Sequence, residues 1–145
     1  MIRPARRSDF DALLRLVAAY YRFDSIRFNR STTGRALRRL LREESLGRVW
    51  VIDAGGALAG YAVLTYNFDM EFGGVQGIVT DFFIAARYRR KGLGARTLAA
   101  IRDYCKSRGI GTLELQVTRH NRAAQAFYRA LGFKTLDRIV MDLDV

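Results

Sequence analysis

Between residues 84 and 95 the chain reads Ile-Ala-Ala-Arg-Tyr-Arg-Arg-Lys-Gly-Leu-Gly-Ala, an apolar segment that passes through a basic, glycine-containing loop into a helical pattern. This arrangement suits an anion. The first amides of a helix lack internal acceptors, and the aligned peptide dipoles place partial positive charge there. Gly92 and Gly94 would let a phosphate approach the backbone without a Cβ in the way, and Arg89, Arg90 and Lys91 would raise the local potential. The same pattern also describes a solvated basic turn whose glycines serve tight packing. It has neither the GxxxxGK[ST] spacing of a P-loop nor the GxGxxG fingerprint of a dinucleotide fold.

Other reactive groups are sparse. Cys105 is the single cysteine and His120 the single histidine, so an internal disulfide and a multi-cysteine zinc site are impossible. No HExxH or EF-hand spacing is present, and no metal is expected. Cys105 lies inside an apolar helical pattern and reads as core, while His120 reads as a turn histidine beside Asn121.

The elements that must position these groups are set by size, charge and periodicity. The 145 residues favour a single domain over 1–145, for which mass scaling gives a folded area of roughly 7,500 Å². Twenty-five Lys and Arg against 14 Asp and Glu give a net charge of +11. All of the basic residues except Lys91, Lys106 and Lys134 are arginine. That excess predicts attraction to phosphate, acidic protein or nucleic acid. With mean hydropathy at −0.07 and no long apolar run, neither a membrane span nor a secretory leader is expected, and the default location is cytoplasmic.

Along the chain, Ser8 reads as the N-cap of a helix with Phe10, Leu13, Leu14 and Val17 on one face. A second helix should start near Ser31, with Leu37, Leu40 and Leu41 opposite Arg35, Arg38, Arg39 and Arg42. Residues 49–66 read as a hairpin turning at Ala54 to Gly56, followed by a polar stretch from Asn67 to Gly74 and a strand from Val75 to Ile84. Gly92 to Arg108 reads as a helix stopped by Gly109, Thr112 to Thr118 as an alternating strand, and Asn121 to Leu131 as a helix stopped by Gly132. The tail from Phe133 to Val145 reads as one bent strand or two short ones. The order is α+β, with parallel, right-handed connections in the second half.

Asp81-Phe82-Phe83-Ile84 followed by Arg89-x-x-Gly92-x-Gly94, and then Asn121 with the run Ala124 to Phe133 (AQAFYRALGF), resembles the GNAT superfamily of acetyl-CoA-dependent N-acetyltransferases. The likeness is strongest over about residues 75 to 133. It implies the GNAT fold, a mixed central sheet of about six to seven strands flanked by about four helices. It also implies acetyl-CoA as cosubstrate, a primary amine as acceptor, and the possibility of a homodimer. By this resemblance the backbone of Phe82, Phe83 and Ile84 would pair with the pantetheine arm, and the loop Arg90, Lys91, Gly92, Leu93, Gly94 and Ala95, with Arg89 before it, would hold the pyrophosphate. Asn121 would hydrogen-bond the cofactor arm, and Tyr128 would stand near the sulfur as general acid. From the residues alone, Tyr128 also fits an apolar stripe with Phe127 and Leu131, and Asn121 also fits a helix N-cap.

Two departures from the family pattern matter. Where some relatives carry a Glu as general base, this chain has Gln116, which cannot take a proton; Ala86 stands where many have proline. The remaining carboxylates that could serve as base are Asp81, Glu71 and Glu114, with Asp81 leading because it adjoins the cofactor strand. The acceptor pocket is expected from the first two helices, residues 20–30 and the stretch from Tyr66 to Gly74, where Arg22, Arg27 and Arg30 favour a small amine bearing a carboxylate or phosphate. A non-catalytic acetyl-CoA-binding module is the second reading, and a nucleic-acid binder using the arginine face of the second helix is the third.

Overall fold

The computed structural model describes residues 1–145. Five strands form one mixed sheet in the order β1-β2-β3-β4-β5: Ile2–Pro4, Gly47–Asp53, Leu58–Asp69, Gly74–Ile84 and Leu113–Leu115. Every neighbouring pair is antiparallel except β4 and β5, which run parallel. Four helices complete the chain: α1 (Phe10–Phe23), α2 (Arg30–Arg42), α3 (Leu93–Ser107) and α4 (Arg122–Ala130). None of them is long and apolar enough to cross a membrane.

Strand alternation sorts the core into two layers. Val49, Val51, Tyr61, Val63 and Phe83 point to the face covered by Leu13, Leu14, Val17 and Leu37 of α1 and α2. Trp50, Ala62, Leu64 and Val79 point to the other face, under Leu98, Ile101 and Cys105 of α3. The chain's single proline, Pro4, ends the edge strand β1, where a missing amide costs nothing to the ladder.

Several boundaries differ from the sequence expectation, each for a local reason. Ser8 does not cap α1. It lies in a 3-10 turn, Arg7–Asp9, where the Asp9 carboxylate accepts from the Arg6 amide at 2.7 Å and from the Arg3 guanidinium at 2.8 and 3.0 Å. Arg3 reaches Asp53 as well, so one side chain ties β1 to the end of β2 and the start of α1. The second helix begins one residue earlier than expected, with Asn29 Oδ1 accepting from the Thr32 amide at 3.0 Å.

Larger differences lie in the hairpin and the tail. The polar stretch from Asn67 continues β3 to Asp69, so the β3–β4 hairpin turns only at Met70–Gly73. The segment expected to be a strand over Thr112 to Thr118 forms only Leu113–Leu115, because β5 has one neighbour and its pairing ends with it. Residues 134–145 form no strand and are exposed. The sheet therefore has five strands, not six to seven, within the expected α+β class.

The two-layer packing predicts that Leu13→Ala lowers unfolding free energy by about 2–5 kcal/mol in urea titrations, since Leu13 is fully buried. Leu46→Ala, at an exposed site, should cost no more than about 0.5 kcal/mol. Comparable losses at the two positions would contradict the layering.

Candidate active site

β4 pairs with β3 along most of its length, to Ile84, yet with β5 only from Gly77 to Val79. A register shift in the β3 ladder, where Leu64 faces Val79 and Val63 faces Asp81, leaves Thr80 as an extra residue in β4. Such a bulge bends and twists the strand that carries it. From Thr80 to Ile84 the side of β4 away from β3 has no strand partner, and a gap opens between β4 and β5.

The glycine loop leaves the end of this gap. Arg90 at φ 60° and Gly92 at φ 73° both adopt the left-handed conformation, and Gly92 stands at the head of α3. The first intrahelical bond runs from the Arg96 amide to the Gly92 carbonyl, so the amides of Leu93, Gly94 and Ala95 are aimed outward from the helix end. The two glycines have different reasons. A Cβ on Gly92 would meet nothing, so the turn itself demands glycine; a Cβ on Gly94 would sit 2.9 Å from the Phe127 ring of α4. Gly94 thus serves helix packing, the other use the sequence allowed for these glycines.

The basic residues of the loop also divide. Arg89 donates from Nε to the Ile84 carbonyl at 2.7 Å and lies over the rings of Phe23 and Phe83 at 4.9 and 5.5 Å. It braces the loop against the end of α1. Arg90 and Lys91 are exposed. Arg87 stacks on Tyr88 at 4.8 Å.

Asp81 and Tyr128 flank the gap from opposite faces of the sheet. Asp81 Oδ2 accepts the hydroxyl proton of fully buried Tyr61 at 2.7 Å. Burial raises the Asp81 pKa from its ordinary value, and the Tyr61 bond offsets part of that rise. Its partner is a neutral hydroxyl, neither an arginine nor a backbone amide. On the other face, the Tyr128 ring packs against Phe82, Phe127 and Phe133. Burial, and then the negative charge of Asp24, push Tyr128 up to about 12, so it keeps its proton at neutral pH.

Asn121 caps α4 by accepting from the Ala124 amide at 3.1 Å, which leaves its side-chain nitrogen as the group available to an acceptor. It also borders a cavity of about 320 Å³ with Phe23, Asp24, Ser25, Thr118 and His120. His120 is an exposed turn residue, as expected, and it lines this cavity. Cys105 is buried in the core, away from the gap.

The other carboxylates are placed elsewhere. Glu71 sits in the β3–β4 turn and pairs with Arg138 at 3.6 Å. The length of β4 from Gly74 to Asp81 separates this turn from Asp81, roughly 20 Å along the strand. The expected contribution of the Tyr66 to Gly74 stretch to the acceptor pocket fails for the same reason, because that stretch is the far end of the hairpin. Glu114 lies opposite Ile78, where β4 and β5 are still paired. Sequence reasoning missed Tyr61, unremarked within the hairpin over residues 49–66, and took in Asp24 only as part of the stretch 20–30 expected to border the acceptor; the register and the helix packing bring them to the site.

A buried carboxylate of raised pKa makes a test of its own. Ionising Asp81 costs the folded state more than the unfolded chain, so its contribution is most favourable below about pH 4 and is lost as pH rises through the raised value. Asp81→Asn should therefore raise Tm at pH 7, with the gain shrinking toward zero as the pH falls below about 4. A lower Tm at pH 7, measured by calorimetry, would contradict the cost assigned to burial.

The chain matches the family model described as the Acetyltransferase (GNAT) family over residues 10–133. It is 30% identical to the uncharacterized N-acetyltransferase YhfO of Bacillus subtilis (strain 168), over 92% of this chain and 89% of that protein. Among solved structures, it superposes with TM-score 0.88 and 32% identity on the integron cassette protein HFX_CASS3 from the mobile metagenome of Cole Harbour Salt Marsh, covering 99% of this chain and 90% of that one. The aminoglycoside N-acetyltransferase AAC(6')-Iy in complex with CoA shares the fold at TM-score 0.86 and 16% identity, covering 99% and 93% of the two chains. The chain is an acetyltransferase of the GNAT family.

Proposed function

We propose that the protein, acting in the cytoplasm as a single catalytic domain, moves the acetyl group of acetyl-CoA directly onto a primary amine of a small molecule or peptide. The observation that carries this reading is the gap between β4 and β5, with a half-buried carboxylate on one face and a protonated tyrosine on the other. The residues present fit the cosubstrate. The unpaired side of β4 at Phe82 and Phe83 can accept an extended amide-bearing arm as an added strand. The left-handed turn at Arg90 and Gly92, with the α3 amides behind it, suits a diphosphate, and Arg90 and Lys91 add charge.

A primary amine has a pKa of about 10.4, so freeing its lone pair at pH 7 costs about 4 kcal/mol. Asp81, whose raised pKa brings it closer to that of the amine, takes this proton directly or through a water. The amine nitrogen then bonds to the thioester carbon and the carbon–sulfur bond breaks, Tyr128 giving a hydrogen bond and a proton to the departing thiolate, while the nitrogen releases its second proton to water and a proton from water restores Tyr128. Asp24 faces the cavity that leads in from the end of α1 and suits the incoming ammonium. Arg22 and Arg27, exposed on either side of it in sequence, favour an acceptor that also carries a carboxylate or phosphate.

A thiol-release screen over amines, amino acids, aminoglycosides and peptide N-termini tests the reading. Turnover should be best with a small amine bearing an anionic group, and a polyamine as best substrate would overturn that preference. Asp81→Asn should lower kcat/KM by about 100-fold or more at pH 7; unchanged kcat/KM between about pH 6 and pH 9 would remove Asp81 from the mechanism. The double variant Arg90→Ala/Lys91→Ala should raise the KM for acetyl-CoA about tenfold at low salt with kcat little changed, and the effect should fade as salt is added.

A further inference from the structure

A second cavity lies away from the gap, where α1 faces the turn between β2 and β3. It holds about 490 Å³, more than the 320 Å³ beside Asn121. Small-molecule sites fall in the range of roughly 300–1,000 Å³. Arg3, Asp9 and Asp53 form one part of its wall, Arg15 and Leu16 of α1 a second, and Leu58 and Arg87 the remainder, from the start of β3 and the turn after β4. None of these residues belongs to the opening between β4 and β5.

The charges around the cavity fall into two sets. The first is closed. Both oxygens of Asp9 and Oδ2 of Asp53 accept from the Arg3 guanidinium, and Oδ1 of Asp53 accepts from the Gly55 and Gly56 amides at 3.1 Å. Each carboxylate oxygen at the cavity is thus engaged by a donor of the chain itself, which leaves little to hold a cation. The second set is open. Arg15 and Arg87 are exposed, and neither forms an ion pair. The Arg87 guanidinium is held over the Tyr88 ring at 4.8 Å, and the exposed Ser8 hydroxyl adds a further donor. A guanidinium offers its donors in a fixed fork that matches the oxygens of a phosphate. Leu16 and Leu58 give the same cavity an apolar wall, which suits a short carbon chain.

We infer that this cavity binds a small organic phosphate, its phosphate oxygens between Arg15 and Arg87 and its carbon chain against Leu16 and Leu58. The site is separate from the transfer chemistry, and no turnover is needed to detect it. Two sources carry this phosphate chemistry. One is a free phosphate ester, which the apolar wall favours; the other is acetyl-CoA itself, because Arg87 stands two residues before Arg89 of the cofactor loop.

Calorimetric titration of the full chain at low salt with glycerol 3-phosphate, and with inorganic phosphate for comparison, separates them. Glycerol 3-phosphate should bind once per chain and more tightly than inorganic phosphate, with the same affinity when CoA is saturating. The double variant Arg15→Ala/Arg87→Ala should weaken it at least about tenfold, since each arginine supplies charged hydrogen bonds, whereas Arg90→Ala/Lys91→Ala should leave it unchanged. Competition by CoA overturns the inference, as does an Arg15→Ala/Arg87→Ala variant of native affinity or the absence of binding at millimolar concentration. Should that variant fail to fold, amide chemical shifts of the native chain decide. Glycerol 3-phosphate should move Ser8, Arg15 and Arg87, and shifts confined to residues 90–95 or scattered over the basic surface overturn the site.

Discussion

The proposed transfer site depends on β4 parting from β5 after three paired residues. A parallel pair normally consumes the main-chain groups on both facing edges. Here the extra residue at Thr80 bends β4 away, and Phe82 from β4 stacks on Phe127 from α4 at 6.3 Å, filling the widening space with aromatic rings. The parting leaves an edge of extended backbone inside the protein instead of at its rim. It also places β4 side chains of opposite direction, Asp81 and Phe82, at the same opening, so one strand supports Asp81 on one face and the packing of Tyr128 on the other.

Burial then sets the chemistry of what surrounds the opening. Tyr20, Tyr21, Tyr61 and Tyr128 all have raised pKa values, and burial is the largest cause for each. Aspartates add to the effect, Asp81 on three of these rings and Asp24 on Tyr20 and Tyr128. A hydroxyl that donates to a carboxylate lowers its proton affinity, as Tyr61 does for Asp81, though less than an arginine would. Burial outweighs that bond at Asp81, so its pKa stays raised and its ionisation costs stability at neutral pH.

The charge excess is only partly accounted for. Arg90 and Lys91 are exposed at the loop, whereas Arg89 braces β4 against α1, Arg3 ties three elements together, and Arg38 covers the Phe10 ring at 4.1 Å. Arginine serves here as packing material as much as charge, through its planar guanidinium on aromatic faces and its long apolar stem. Net charge read from composition does not separate these uses, because it counts a clasped guanidinium and a free one alike.

Periodicity was enough for the α+β order, the helix stops at Gly109 and Gly132, and the loop that opens α3, because these depend on residues near one another in the chain. The resemblance of two spaced motifs was enough for the family. What the residues could not reveal was long-range: the early end of β5, the role of Gly94 against Phe127, the length of β3 that carries Glu71 away from the site, and the pairing of Asp81 with Tyr61. The tail shows the division most plainly. Its alternating residues have the pattern of a strand and form none, because a strand is stable only beside another, and whether a neighbour lies within reach is a matter of tertiary geometry.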